Sequence, residues 1–190
     1  ENMKKISENY VGAPETRSIN TAYGQSKRAS EFLCAAYANK YGLQTIIARG
    51  FAFTGPMIPL NSNLAIGNFI RDAINGNSIK ITGDGTPYRS YLYAADLTIW
   101  LWFILLKGQP CHPYNVGSDK AISIMELAQM VKEVINPKVS IVAAEQFVAN
   151  KPAERYVPSI ERCKSELDLQ IFVPLKESIR RTAEWYISHP

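Results

Sequence analysis

The sequence predicts an α/β protein, and three observations carry that reading. A long stretch of helical spacing stops at a glycine and gives way to a β-branched run, the same alternation of helix and strand recurs downstream, and Gly- and Pro-dense loops follow the strands. With 190 residues, 46% hydrophobic and 20% charged, the chain has material for a real core in one or two domains.

The elements follow in order. Between Asn20 and Tyr41 the apolar residues Phe32, Leu33, Ala36 and Tyr37 recur at helical spacing, and Gly42 supplies the stop. Leu43 to Arg49 is a short β-branched run suited to a buried parallel strand. Gly50 to Ser62 is dense in Gly and Pro and reads as loop, in the position beyond a strand end where ligand sites occur. A helix from about Asn63 to Asn75 ends at Gly76, Ile79–Ile81 is a short strand, and Gly83 to Pro87 is a turn. Arg89 to Tyr93 reads as one strand leading into an apolar helix, with Asp96 as its N-cap. Tyr114 to Gly117 is a strand fragment, and Ser123-x-x-Glu126 is a capping box opening a helix to Ile135. Val139 to Ala143 is a further strand, Ser159 caps a short helix to Leu167, and Pro174 sits at the first turn of a last helix over 175–187.

Composition excludes several classes. The net charge of +4 comes from scattered Lys and Arg, without the basic run or aromatic interleaving of a nucleic-acid binder. The apolar run Leu97 to Leu106 is about half a membrane span, so it reads as a buried helix and no membrane partner is expected. Trp100 and Trp102 within it, and Trp185 near the end, read as core. Cys34, Cys111 and Cys163 are odd in number and lack metal-ligand spacing, and His112 and His189 read as surface residues, so no metal site is expected. Residues 1–5 show no apolar signal-peptide region, and the expected compartment is the cytoplasm.

Tyr23-x-x-x-Lys27 places a phenol and an ammonium one helical turn apart on one face. Such a pair arises by chance in roughly a third of chains this long, so the spacing needs company. Company is present: Arg49 to Pro56 ending in Thr-Gly-Pro, then the run from Gly83 to Leu97 (GDGTPYRSYLYAADL), then Tyr114-Asn115-Val116-Gly117. Together these segments resemble the extended short-chain dehydrogenase/reductase family, the NAD-dependent nucleotide-sugar epimerases and dehydratases.

The resemblance implies the C-terminal portion of a Rossmann-type domain, holding the Tyr-Lys helix and the following strand, plus a smaller α/β substrate-binding lobe. The division falls at 1–55 and 56–190, with 88–117 packing back onto the Rossmann part. The family's Gly-x-x-Gly-x-x-Gly turn does not occur among these 190 residues, and its catalytic Ser or Thr would fall upstream of Glu1. The expectation is therefore a fragment, inactive alone, of an enzyme acting on a nucleoside-diphosphate sugar by transient oxidation at C4. The cofactor is NAD, with NADP as an alternative, and the full-length protein is expected to form a homodimer. A non-catalytic sugar-nucleotide binding module and a reductase of the same family are the other readings.

Residue roles carry over by resemblance. Tyr23 takes the C4 hydroxyl proton while Lys27 favours the resulting anion and holds the nicotinamide ribose, so both are catalytic and cofactor-binding; the alternative is an exposed surface pair. An ammonium about 4 Å from a phenolate is worth roughly 4 kcal/mol at an effective dielectric of ~20, enough to matter. Arg89 reaches the substrate diphosphate, for which a planar fork of donors is suited, or else forms a strand-edge salt bridge. Asn115 matches a position near the nucleotide, or is a turn former. Lys80 and Ile81 match the strand along the nucleobase, or are ordinary strand residues. Lys151 and Arg155, in Lys151-Pro152-Ala153-Glu154-Arg155-Tyr156, match the family's Arg-Pro-Gly-Asp segment with Lys for the first Arg. One departure stands out: many relatives have Asn where this chain has Ala52, in Phe51-Ala52-Phe53-Thr54-Gly55-Pro56.

Overall fold

The computed structural model describes residues 4–12, 14–146 and 152–189. Six α-helices and eight short strands alternate along them: α1 Ala22–Tyr41, β1 Ile47–Gly50, β2 Phe53–Thr54, α2 Ala65–Ile74, β3 Ile79–Ile81, β4 Tyr88–Arg89, β5 Leu92–Tyr93 and α3 Ala94–Lys107. There follow β6 Pro113–Val116, β7 Ile122–Ser123, α4 Ile124–Ile135, β8 Ile141–Ala143, α5 Glu161–Leu167 and α6 Leu175–Ser188. The α/β class stands.

Among the described residues the strands pair two by two. β1 lies parallel to β6, β2 parallel to β5, and β3 parallel to β8, while β4 runs antiparallel to β7. Two cores result. One packs Ile66, Phe69 and Ile70 of α2 against Ile79 and Ile81 of β3, Leu127 and Val131 of α4, and Ile179 and Ala183 of α6. The other packs Leu92, Trp100 and Ile104 against Tyr114 and Val116 of β6 and Ile160, Cys163 and Leu167 around α5.

The chain passes from one core to the other within two residues. Tyr91 belongs to the first core and Leu92 to the second. That crossing is why residues 89–93 do not form the single strand expected: β4 and β5 serve different ladders. Other local corrections share a physical basis. β1 begins only at Ile47, where its register with Pro113 starts, and the loop expected over Gly50 to Ser62 contains β2 because Phe53 and Thr54 pair with Leu92 and Tyr93. Asp96 is not an N-cap; Tyr93 holds that position and the buried Asp96 carboxylate accepts the backbone N–H of Val173 at 3.0 Å. Ser159 does not cap α5, whose N-cap is Ile160; its carbonyl instead accepts the Asn115 amide. The Ser123–Glu126 capping box is present in full. Pro174 is the N-cap residue of α6.

Helix α1 is unlike the rest, since none of its residues is buried. Gly42 ends it in the left-handed conformation, at φ 67°, which an L side chain adopts with strain. Its attachment is polar. Arg49 on β1 makes a bidentate pair with Glu31, both contacts 2.7 Å, and Arg28 donates to the Gly12 carbonyl at 2.9 Å. Helix α3 buries Trp100 but turns Trp102 outward, 60% exposed, against the expectation that both belong to the core. No helix among the described residues is long and apolar enough to cross a membrane.

Candidate active site

A cleft of about 610 Å³ opens beside the first core. Its walls come from the segment after β1, the start of α2, β3 with the turn that follows, and β4. The turn is shaped by sequence: Asp84 Oδ1 accepts both the Thr86 N–H at 3.0 Å and the Thr86 hydroxyl at 2.7 Å. Gly85 next to it, at φ 79°, comes so close to Met125 that an added Cβ would lie 3.0 Å from the Met125 Cβ.

Backbone pairing explains which side chains meet. The Tyr88 N–H donates to Glu154 O at 2.8 Å and the Tyr156 N–H to Tyr88 O at 3.0 Å, so residues 154–156 run alongside β4. Alternation then divides them. Glu154 reaches Arg89, whose Nη2 donates to its Oε1 at 3.0 Å, and Tyr156 lines the cleft. Arg155 is opposite Tyr88 and lays its guanidinium 4.2 Å from the Tyr88 ring centroid, outside the cleft lining.

Of the residues singled out from the sequence, Lys80, Ile81 and Arg89 are brought together in the cleft wall. Arg89 keeps 27% of its side chain exposed there and also donates to Tyr88 O at 2.9 Å. Asn115 is elsewhere. It is buried on β6, donating its amide to the carbonyls of Ile6 and Ser159 at 2.9 and 3.0 Å, while its N–H donates to Glu8 at 3.1 Å. Those bonds tie the first residues and the approach to α5 onto the β1–β6 ladder, and they leave Asn115 out of the cleft lining. Lys151 lies outside the described residues. No cluster suited to a metal occurs among the described residues.

Tyr23 and Lys27 stand at the start of α1, both exposed, with Lys27 Nζ 5.4 Å from the Tyr23 ring centroid. Tyr156 lies in the cleft lining. Burial pushes the Tyr156 phenol above its ordinary range, the Tyr23 phenol adds to the rise, and the Arg89 guanidinium opposes it. Tyr156 thus sits within electrostatic reach of the Tyr-Lys helix and of Arg89 alike. Its ring also stacks on Phe51, centroids 4.8 Å apart at 31°. Sequence reasoning passed over Tyr156, Tyr91 and Glu154 as site residues. The signal available was the alternation across Glu154-Arg155-Tyr156, which places the first and third on one face once the segment is paired.

Three parallel strand pairs with helices between them, and Tyr23-x-x-x-Lys27 at the start of α1, fit the extended short-chain dehydrogenase/reductase class. The chain belongs to the NAD dependent epimerase/dehydratase family, whose model matches residues 3–117. It is 31% identical over 172 residues to UDP-glucuronic acid decarboxylase 3 of Arabidopsis thaliana, covering 90% of this chain and 49% of that protein. In structure it is similar to dTDP-glucose 4,6-dehydratase of Bacillus anthracis in complex with NAD, at TM-score 0.81 and 21% identity over 100% of this chain and 57% of that one. It is likewise similar to the Bordetella bronchiseptica enzyme WbmF in complex with NAD+ and UDP, at TM-score 0.82 and 22% identity over 97% of this chain and 57% of that one. At these identities the two structures speak for the fold, which is the Rossmann type. The chain spans about half the length of the curated relatives it matches.

Proposed function

We propose that this chain provides the substrate lobe and the Tyr-Lys helix of an NAD-dependent enzyme that epimerises, dehydrates or decarboxylates a nucleoside-diphosphate sugar after transient oxidation at C4. The observation that supports this reading is the cleft lined by Lys80, Ile81, Arg89 and Tyr156 in a chain that carries an exposed Tyr23–Lys27 pair on α1. Residues 1–55 act with the dinucleotide half of the site, and 56–190 hold the substrate.

The residues present suit the cofactor's ribose end. Tyr23 is 75% exposed and Lys27 is exposed beside it, so both present their polar ends for a ribose hydroxyl. When bound, NAD supplies the hydride acceptor. Tyr23 takes the proton from the C4 hydroxyl, and Lys27 stabilises negative charge on the phenol oxygen as the proton moves. Arg89 holds the diphosphate with charge-assisted hydrogen bonds, exchanging part of its contact with the exposed Glu154 for phosphate oxygens. Lys80 and Ile81 flank the nucleobase. The backbone amides of the turn after β3 contribute no charge but allow close approach at Gly83 and Gly85.

None of the chain's glycines forms the Gly-x-x-Gly-x-x-Gly turn, so its own residues address the ribose rather than the pyrophosphate. The 190 residues are expected to bind nucleoside diphosphates without turning over a nucleotide sugar by themselves. The homodimer belongs to the same reading, with the exposed Phe32, Leu33, Tyr37 and Tyr41 on α1 as available apolar surface. Calorimetric titration with UDP, dTDP, GDP and CDP tests the proposal: binding of at least one, weakened by salt, is expected. A chain that binds none of them does not hold this site.

A further inference from the structure

The Tyr-Lys pair on α1 has a third member. Tyr23, Lys27 and Glu31 follow at four-residue spacing, neighbours along one stripe of the helix, so Glu31 lies about two turns, or ~12 Å, beyond Tyr23. The stripe thus continues the pair with a carboxylate.

That carboxylate is where the β1–β6 ladder grips the helix. Arg49 on β1 donates from Nε to Glu31 Oε1 and from Nη2 to Glu31 Oε2, both at 2.7 Å, while its Nη1 donates to the Glu8 carbonyl at 2.9 Å. Glu8 is itself anchored. Its Oε1 accepts the Asn115 N–H at 3.1 Å, and Asn115 stands opposite Arg49 in the register of β1 with β6. The guanidinium is therefore held from two directions, and both partners of the ion pair are about two-thirds withdrawn from water, with side chains 30% and 31% exposed. The hydrogen bond from Glu31 raises Arg49 above its ordinary value against the opposing effect of burial.

The other polar contacts of α1 are of a different kind. Arg28 and Gln25 donate to the carbonyls of Gly12 and Pro14, at 2.9 and 3.0 Å, which lie ahead of the helix in the chain. Thr45 Oγ1 donates to the Cys34 carbonyl at 3.2 Å. Each single bond restrains a distance, whereas a planar fork on a carboxylate restrains an angle as well. With none of its residues buried, α1 relies on such contacts more than the other helices do.

Resting on the reading above, in which Tyr23 and Lys27 act on the C4 hydroxyl, we infer that Arg49 and Glu31 are positioning residues: their paired contact fixes the rotation of α1 against β1 and so sets where the Tyr23 oxygen and the Lys27 ammonium stand. Neither touches the reacting atoms. A small turn of the helix at Glu31 is carried along its axis to Tyr23, and a misplacement of about 1 Å in an acid–base group lowers turnover by up to ~10²-fold. Lysine at position 49 would keep the charge and lose the fork.

The test compares Arg49→Lys, Glu31→Gln and the exchanged pair Glu31→Arg/Arg49→Glu. In the 190-residue chain, amide hydrogen exchange over residues 23–31 should quicken by about tenfold in each single variant while the amides of α2 and α4 keep their rates, and the exchanged pair should recover part of the protection. In the complete NAD-loaded enzyme, each single variant should lower kcat by about tenfold or more with KM for the nucleotide sugar unchanged. Unchanged exchange along α1 in both single variants overturns the inference, as does faster exchange with normal kcat. Faster exchange in α2 and α4 as well, with kcat falling in step with melting temperature, makes the pair a general stabiliser and also overturns it. In each of these cases loss of turnover in Tyr23→Phe leaves the functional reading standing; normal turnover in Tyr23→Phe overturns both.

Discussion

Lys27 places its ammonium 5.4 Å from the centroid of the Tyr23 ring, one turn further along α1. The contact is possible because both side chains leave the helix on the same face, and because nothing else in the described chain buries either of them. On the proposed function the two side chains act together on the C4 hydroxyl proton. In the NAD-loaded enzyme, Tyr23→Phe is expected to cut turnover by ~10²-fold or more while substrate affinity hardly moves. Lys27→Met should slow turnover and also weaken NAD retention. The double variant should be little worse than the worse single one, because the two act as a unit. Near-normal turnover in Tyr23→Phe would reduce the pair to surface residues.

Arg89 makes a separate prediction. It lines the cleft, with Nη2 donating to Glu154 and Nη1 to Tyr88 O. Arg89→Ala should weaken nucleoside-diphosphate binding by about 1.5–3 kcal/mol, the range for a charged hydrogen bond. The loss should be similar for UDP, dTDP, GDP and CDP. A loss confined to one base would mean that Arg89 meets the base and not the phosphates.

How much of this was legible in the sequence depends on what each residue needs. Long helices and the Ser123–Glu126 box announce themselves, because spacing and capping chemistry are local. Lys80 and Ile81 were legible as a strand pair, but their place in a cleft depends on α2 and on the turn stiffened by Asp84. Tyr91 and Tyr156 were not legible. Tyr91 matters because the chain changes cores there, and Tyr156 because an isolated bridge at Tyr88 aligns it, and both are long-range events. Asn115 and Ser159 show the reverse failure. Each resembles a local feature, a site amide and a cap, yet both are spent on one long-range bond to each other.

Asn115 can be tested directly. Its buried amide donates to Ile6 O and Ser159 O; Ile6 O keeps a second donor in the Ser159 N–H at 2.7 Å, so the loss falls on Ser159 O and on the packing around the amide. Asn115→Ala should lower stability by about 1–3 kcal/mol in denaturant unfolding, the penalty for stranded buried groups. Nucleoside-diphosphate affinity of the folded variant should stay within experimental error. A selective loss of nucleotide binding at unchanged stability would return Asn115 to the site.

The cysteines should separate by reactivity. Cys163 is buried, its thiol donating to Asn115 O at 3.3 Å, and burial pushes it up to about 12 with Glu8 and Glu166 adding to the rise. Cys111 is exposed. Alkylation of the native protein near neutral pH should modify Cys111 and spare Cys163, which should react only on unfolding. The sign of the linkage follows from the raised value. Keeping the Cys163 thiol neutral leaves stability intact below the ordinary thiol range near 9.0, and that stability is lost as pH rises from there toward about 12. Rapid labelling of Cys163 in the native state would contradict the packing of α5 on β6.

The last prediction concerns α6, which packs on α2 and α4 in the first core. Glu177 accepts from Arg180 Nη2 at 2.7 Å and Arg181 Nε at 2.6 Å through Oε1, and from Arg180 Nε at 2.8 Å through Oε2. The hydrogen bonds from Arg180 and then Arg181 hold its carboxyl at about 2, against an ordinary 4.5. A depressed carboxyl contributes stability that is present above the ordinary value and is lost as pH falls from 4.5 toward about 2. Because the cluster faces solvent, the contribution is modest and screened by salt. Glu177→Gln should therefore melt below the unmodified chain at about pH 6 in low salt, and the gap should shrink both on adding ~1 M salt and on acidification below the ordinary carboxylate range. A gap that stays constant on acidification would show that the variant acts through helix packing and not through the charge on Glu177.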